Sequence, residues 1–223
     1  MEQLDRNKKQ ADGTVIRLLD AAEALFAENG FDGTSARDIT SRAKCNVASI
    51  NYYFSGKDNL YFEVCKRRLN ALRDIRVASI ERTMAKGAEN ITLQELLLEF
   101  SRAFLAPLIE EKTGPNVMKL MIREMLCPKL PESMFFEELI APMTEVLHKA
   151  VSQLCPGLND QQVLLSIFSL ISQLIHSIHV QGKILSRENL GSLDIDQFVS
   201  HIVAFTAAGI RGVAASNGDQ LDV

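Results

Sequence analysis

The sequence lacks tryptophan altogether and has few aromatic residues, 6% of the chain. Its four cysteines (Cys45, Cys65, Cys127 and Cys155) form no CxxC pair, and the nearest two stand twenty positions apart. That spacing excludes a zinc ribbon or a disulfide-stapled scaffold and points to reduced thiols. No GxSxG, HExxH, P-loop or dinucleotide fingerprint occurs, so nothing announces an enzyme and no cofactor is expected. His176 and His179 stand at i, i+3 with no second close pair of ligands, so no metal site is expected. The polar start, Met1 to Arg6, is not a secretory signal. The most apolar stretch, Val163 to Val180, is broken by Ser166, Ser169, Ser172, Gln173 and His176, which argues against a membrane partner. A soluble, cytoplasmic protein is expected. The net charge of −4 and pI near 5.6 exclude wholesale coating of a polyanion but leave room for a local basic face.

Alternation over six residues is also missing, whereas apolar positions recur at three and four throughout. The chain reads as all-α. With 47% apolar residues in 223, it has enough apolar side chains for a core without staples. A polar arm is expected over 1–13, then a helix from Thr14 with Ile16, Leu19, Ala22, Leu25 and Phe26 on one face, stopped at Asn29-Gly30. Ser35 with Asp38 offers a capping box for a second helix, and Asn46 an N-cap for a third that ends near Phe54. A long fourth helix reaches roughly Lys86. Further helices are expected over 91–111, 115–127, 131–155, 159–182 and 195–215, with a polar tail over 216–223. The fold class is therefore an N-terminal three-helix unit over 14–62, joined by a long helix to a larger helical unit over 63–215, with the seam between 60 and 75.

The dense signal lies in residues 34–57. Two short helices separated by a tight turn carry Ile39, Ala43, Cys45, Ile50 and Phe54 at spacings that pack both against helix one. This is helix-turn-helix geometry, whose second helix must be short and rigidly held to enter a major groove. Arg37, Arg42, Lys44 and Lys57 against Asp38 give the window 4 − 1 = +3, leaving −7 on the rest of the chain. A basic island in an acidic protein is where phosphates bind. Outward-facing Asn46, Val47, Ala48, Ser49, Asn51 and Tyr52 are short groups, an amide able to read adenine and an aromatic able to pack on a thymine methyl. The alternative is a bundle corner with a solvated polar face.

Leu25-Phe26-Ala27-Glu28-Asn29-Gly30-Phe31, then Thr34 to Ile39, Ala43 to Asn46 and Ile50 to Leu60, follow one another in a recognisable order. On these pieces, residues 14–62 resemble the DNA-binding domain of the TetR family of bacterial repressors. Two positions depart from the family's pattern. Lys44 stands where glycine is usual, so the turn must hold a side chain, with positive φ as the expectation. Asn51 stands where tyrosine is common, which changes a phosphate or base contact. The resemblance implies that Ser35 caps the second helix and, with Thr34, touches phosphate, and that Arg37 reaches a guanine. It implies that Val47, Ala48, Ser49 and Tyr52 face bases, and that Tyr53 and Lys57 anchor phosphates. Lys44, Asn46 and Asn51 complete the expected contact set. Plain packing is the alternative for Tyr52 and Tyr53, and a spacer role for Val47.

In the same resemblance, residues from about 75 onward bind an effector and dimerise. The last helix carries Phe198, Val199, Ile202, Val203, Phe205 and Ile210 with almost no polar face, while Gly209 and Gly212 permit close approach of another helix. The helix before it carries a polar face of Ser166, Ser169, Ser172, Gln173, His176, Ser177 and His179. A homodimer through Ser169, Gln173, His176, Phe198, Ile202, Phe205 and Gly209 is expected as an isologous four-helix interface. A core helix of a monomer is the alternative. Methionines gather in the sixth and seventh helices and adapt to irregular apolar shapes. An effector pocket for a small, hydrophobic molecule is therefore expected among Met118, Met121, Met125, Phe135, Met143, Phe168 and His176, with core packing as the alternative. The stretch Leu120 to Pro128, with Asn51 to Phe54, resembles a TetR subfamily with its own C-terminal domain, whose members regulate efflux and antibiotic-sensitivity genes.

The function expected is a ligand-responsive transcriptional repressor that binds a pseudo-palindromic operator in double-stranded DNA as a dimer and is released by a small apolar effector. A helical interaction module that has lost DNA binding, and an enzyme, are the alternatives.

Overall fold

The computed structural model describes residues 2–111, 114–126, 128–183 and 195–218, and among these it contains helices and no strand. In chain order they are α1 (Glu2–Asn29), α2 (Ala36–Arg42), α3 (Ala48–Phe54), α4 (Lys57–Met84), α5 (Leu93–Ile109), α6 (Gly114–Leu126), α7 (Glu132–Phe135), α8 (Ala141–Leu154), α9 (Asp160–Lys183) and α10 (Ile195–Gly218). A short 3-10 turn, Ala88–Asn90, precedes α5.

Three boundaries differ from the sequence expectations. The polar arm is not separate: α1 begins at Glu2, because Glu, Gln, Leu, Lys and Ala there all favour helix and the lone Gly13 costs only about 1 kcal/mol. The expected single helix over 131–155 is α7 and α8 joined by a π turn, Phe136–Ile140. Pro142, in the first turn of α8, has no N–H to donate four residues back, so the bonding register slips there. The expected tail starts inside α10, and residues 219–223 lie outside the described part.

The chain divides into two compact units: residues 1–71 with 107–138, and residues 72–106 with 139–223. The division inside α4 falls between residues 71 and 72. Residues 107–138, expected with the larger domain, instead belong to the unit that holds the helix-turn-helix.

In the first unit the core is Leu18, Ala22 and Phe26 of α1, Ile39 and Ala43, Ile50 and Phe54 of α3, and Leu60, Val64 and Leu69 of α4. The buried row of α1 thus runs through Leu18, not Ile16, which is 54% exposed. Phe26, Phe31 and Tyr61 pack ring against ring, with Tyr61 edge-on to Phe26 at 4.9 Å. Glu23 is buried but faces Arg67 (2.8 Å) and Arg68, which neutralise it.

Helix α6 packs on α1. Among its buried residues are Val117, Leu120 and Glu124, with Met118 and Met121 at the margin of that row. Arg123 donates to the Glu28 carbonyl at the end of α1 (3.1 Å), and a side chain on Gly30 would collide with its guanidinium. The Glu124 carboxylate accepts from the Tyr61 hydroxyl and from the N–H groups of Lys129 (3.1 Å) and Leu130 (3.2 Å). Burial, then the hydrogen bond to Glu124, pushes the Tyr61 hydroxyl well above its ordinary pKa.

In the second unit α9 packs against α8 and α10. Leu96, Leu97 and Phe100 of α5, Leu147 and Val151 of α8, Val163, Ile167, Leu170 and Leu174 of α9, and Val199, Ile202, Val203, Ala207 and Ile210 of α10 form its core. Helices α9 and α10 are long and apolar enough to cross a membrane by length and composition alone, a test that the core helices of a packed bundle also pass. Here each sets one row of side chains into the unit's own core, as the apolar helices of a packed bundle do.

Candidate nucleic-acid interface

Local sequence builds the helix-turn-helix in steps. The Ser35 side chain accepts from the Asp38 N–H (3.2 Å) and the Asp38 carboxylate accepts from the Ser35 N–H (3.1 Å), the reciprocal box that starts α2. Hydrogen bonds from the Ser35 side chain and backbone hold Asp38 below the usual carboxylate range. At the other end of α2, the Lys44 N–H donates to Ser41 (3.2 Å) and the Cys45 N–H to Thr40 (2.9 Å). That double closure is the Schellman arrangement, which needs a left-handed residue between cap and turn, and Lys44 has φ 52°. The positive φ expected of Lys44 is therefore present. The Asn46 side chain then accepts from the Ala48 N–H (2.9 Å), so Asn46 turns the chain into α3, one residue ahead of the helix cap at Val47.

Ile50 and Phe54 bury one side of α3 and leave the other exposed. Val47 (49% exposed), Ala48, Asn51 and Tyr52 (81% exposed) stand in solvent, and Ser49 and Tyr53 are half-buried. The Tyr52 and Tyr53 rings pack edge to face at 4.8 Å, which orients both. Arg37 and Lys44 are exposed with no partner among the described residues, whereas Arg42 pairs with Glu28 at 3.4 Å. A rigid, mostly uncharged helix face flanked by uncommitted cations can approach a duplex without first breaking internal pairs.

Two expected contact residues are placed differently. Thr34 is buried, with its hydroxyl donating to the carbonyls of Gly30 (2.7 Å) and Leu25 (3.2 Å). Its side chain closes the end of α1 and does not reach the outer surface. The Lys57 ammonium donates to the carbonyls of Phe31 and Thr34, both at 3.0 Å, and lies 4.1 Å over the Phe31 ring. It ties the α1–α2 loop to the start of α4 and leaves one of three donors for a phosphate. Both roles were hidden because a loop carbonyl leaves no trace in sequence.

The expected effector residues fall in both units. Met118, Met121 and Phe135 are half-buried in the first unit, while Met143 is buried in the second. The side chain of Met125 lies outside the described part. Phe168 and His176 are exposed, because the inner row of α9 is Val163, Ile167, Leu170, Leu174 and Ser177. They face outward and do not line the unit's interior. Ser177, expected on the polar face, is buried and donates to Leu174 (2.7 Å).

Of the expected dimer residues, Ser169, His176, Phe205 and Gly209 are exposed, and Phe198 and Gln173 half-buried. Gln173 bridges α9 to α10 by donating to Thr206 at 3.3 Å. Ile202 is buried in its own unit and cannot meet a partner. Leu165, missed from sequence, joins Phe205 and Val213 in an exposed groove between α9 and α10. Its signal was available, since Leu165 lies one turn from Phe168 and Ser169 on the same face.

Residues 18–64 match the family model described as "Bacterial regulatory proteins, tetR family", and residues 93–210 match that of the C-terminal domain of the HTH-type transcriptional dual regulator CecR. The dual regulator CecR of Shigella flexneri is 27% identical over 165 residues, covering 71% of this chain and 73% of the relative. The transcriptional repressor NicS of Pseudomonas putida is 39% identical over 56 residues, 25% of this chain and 26% of NicS. A crystal structure from Mesorhizobium loti assigned to the TetR family superposes with a TM-score of 0.67 at 18% identity, over 89% of this chain and 96% of that one. The chain belongs to the TetR family of transcriptional regulators, carries a CecR-type C-terminal domain, and is not an enzyme.

Proposed function

We propose that this protein is a ligand-responsive repressor that binds a pseudo-palindromic operator as a homodimer in the cytoplasm and is released by a small, largely apolar effector. The observation that carries the DNA half of this reading is the outer face of α3. Val47, Ala48, Asn51 and Tyr52 are exposed above the buried anchors Ile50 and Phe54, beside the uncommitted Arg37 and Lys44. Within this reading Arg37 reads a base edge, Ser35 and Tyr53 hold phosphates, and Lys44 adds a phosphate contact. Two-fold pairing is supported by Leu165, Phe168, Phe205 and Val213, apolar groups exposed on α9 and α10 beside Ser169 and Gly209. A second copy of the chain covers them, because a self-complementary face repeats the recognition helix at the spacing of a two-fold operator. Release follows if effector binding favours a state whose recognition helices no longer match successive grooves, a coupling of about 1–3 kcal/mol. The target genes, on the resemblance of the C-terminal domain, encode efflux or transport.

The test is an electrophoretic-shift titration against the gene's own upstream region and a selected oligonucleotide pool. Specific, salt-sensitive retardation is expected, and its absence on both would sink the reading. Arg37→Ala should relax preference at one base position, whereas Lys44→Ala should weaken every sequence alike. Equal effects from the two would contradict the roles given to them.

A further inference from the structure

Among the described residues, buried polar groups are, with few exceptions, provided for. Ser79 donates to the Glu99 carbonyl, Thr83 to Ser79, Ser101 to Leu97, and Arg67 and Arg68 face Glu23. The exceptions are Oγ1 of Thr144, Oγ of Ser152, Nε of Arg68, whose charge is still met by Glu23, and Arg76, on the part of α4 that belongs to the second unit. Its side chain is only 3% exposed, yet among the described residues no carboxylate pairs with it. One nitrogen, Nη2, donates to the Phe104 carbonyl at 3.3 Å, and the guanidinium lies 3.8 Å over the Phe104 ring. Among the described residues its buried Nε has no hydrogen-bond partner. Burial lowers its pKa to about 9, which still leaves it a cation at neutral pH.

A buried cation held by one carbonyl and one ring is under-compensated. The ring interaction offsets only part of the desolvation cost of burying the charge. What Arg76 lacks is an anion, and the guanidinium offers a planar fork suited to two oxygens of a carboxylate or sulfonate. Aromatic rings lie against it: Phe104 stacks on it, and Phe100 lies 5.9 Å from Phe104. We propose that Arg76 anchors the acidic head of an organic anion whose body is apolar or aromatic, so that the effector is an amphipathic acid. This inference rests on the reading of the C-terminal domain as an effector-binding one and names the ligand class. The Met-rich segment is not needed for it.

The test uses the full-length protein and two fluorescent probes with related aromatic bodies: anilinonaphthalene sulfonate, an anion, and N-phenylnaphthylamine, which is neutral. Wild type is expected to bind both saturably. Arg76→Met should lose about tenfold or more in affinity for the sulfonate, the loss of a charge-assisted contact, and keep its affinity for the neutral probe. Its melting temperature without probe should equal or exceed that of wild type, since an unpaired buried charge has been removed. Undiminished sulfonate binding, or equal loss of both probes, would overturn the anchor while leaving an effector site in place. Failure of wild type to bind either probe would strike the effector reading itself and the anchor with it. Should the methionine variant not fold, Arg76→Lys keeps the charge without the fork. Selective loss of the sulfonate then supports the anchor, and no loss overturns it.

Discussion

Replacing Lys44 separates two quantities that the wild-type residue combines. Its φ of 52° places a β-carbon in the left-handed region, where an ordinary side chain costs about 1–2 kcal/mol relative to the right-handed one. The Schellman closure of α2 demands that conformation, because two N–H groups must reach the Ser41 and Thr40 carbonyls. Lys44→Gly relieves the strain but adds backbone freedom to the unfolded chain, about 0.5–1 kcal/mol. Lys44→Ala keeps the strain. The glycine variant should therefore be more stable than the alanine variant by about 0.5–1 kcal/mol, or about 2–4 °C per kcal/mol in a chain of this size. Both variants lose the same exposed ammonium. Each should flatten the slope of log affinity for operator DNA against log salt by about 0.9 per chain. Urea melts followed through the first unit and anisotropy titrations at several salt concentrations read the two effects. Equal stability of the glycine and alanine variants would refute the strain, and an unchanged salt slope in both would refute the phosphate contact.

Lys57→Met removes two donors from the α1–α2 loop and should destabilise the first unit by about 1–3 kcal/mol in urea melts, with weaker binding to all DNA sequences alike. Tyr61→Phe leaves the buried Glu124 carboxylate one donor short and should cost about 1–3 kcal/mol by the same measurement. Burial first, then the Glu124 charge, pushes the Cys65 thiol up to about 12. An unfolded thiol ionises near 8.5, roughly, so above that pH the native state binds more protons than the unfolded one. The Cys65 contribution to stability is whole below that pH and fades as pH climbs toward 12, and Cys65→Ala should show a shallower alkaline loss in pH-dependent melts. Phe205→Asp puts a charge on the exposed α9–α10 face and should give a monomer by light scattering, with loss of operator binding.

Much of the DNA-binding unit was legible because its signals are local. The Ser35–Asp38 box, the left-handed turn at Lys44 and the buried pair Ile50 and Phe54 each lie within a few residues of the feature they determine. Thr34 and Lys57 were harder. A threonine and a lysine in a basic loop suit phosphate as well as they suit a carbonyl, and only the folded loop brings the carbonyls of Phe31 and Gly30 within reach. The place of 107–138 in the first unit was not legible at all. It depends on Arg123 reaching Glu28 and Glu124 reaching Tyr61 across long stretches of sequence. The apolar character of α10 was plain, but which of its residues turn inward was not. Ile202 fills the unit's core, while Phe205, three positions on, stands in solvent, because a helix with apolar groups all round carries no periodic mark of its buried side.

The central claim is that the exposed face of α3, repeated by two-fold pairing, fits successive major grooves. Hydroxyl-radical footprinting on the selected operator tests it most directly. Two protected patches on one side of the duplex are expected, centred one helical turn, about 10 bp, or a multiple apart, and both should vanish in Tyr52→Ala combined with Asn51→Ala. A single patch, or protection that survives that double substitution, would contradict it.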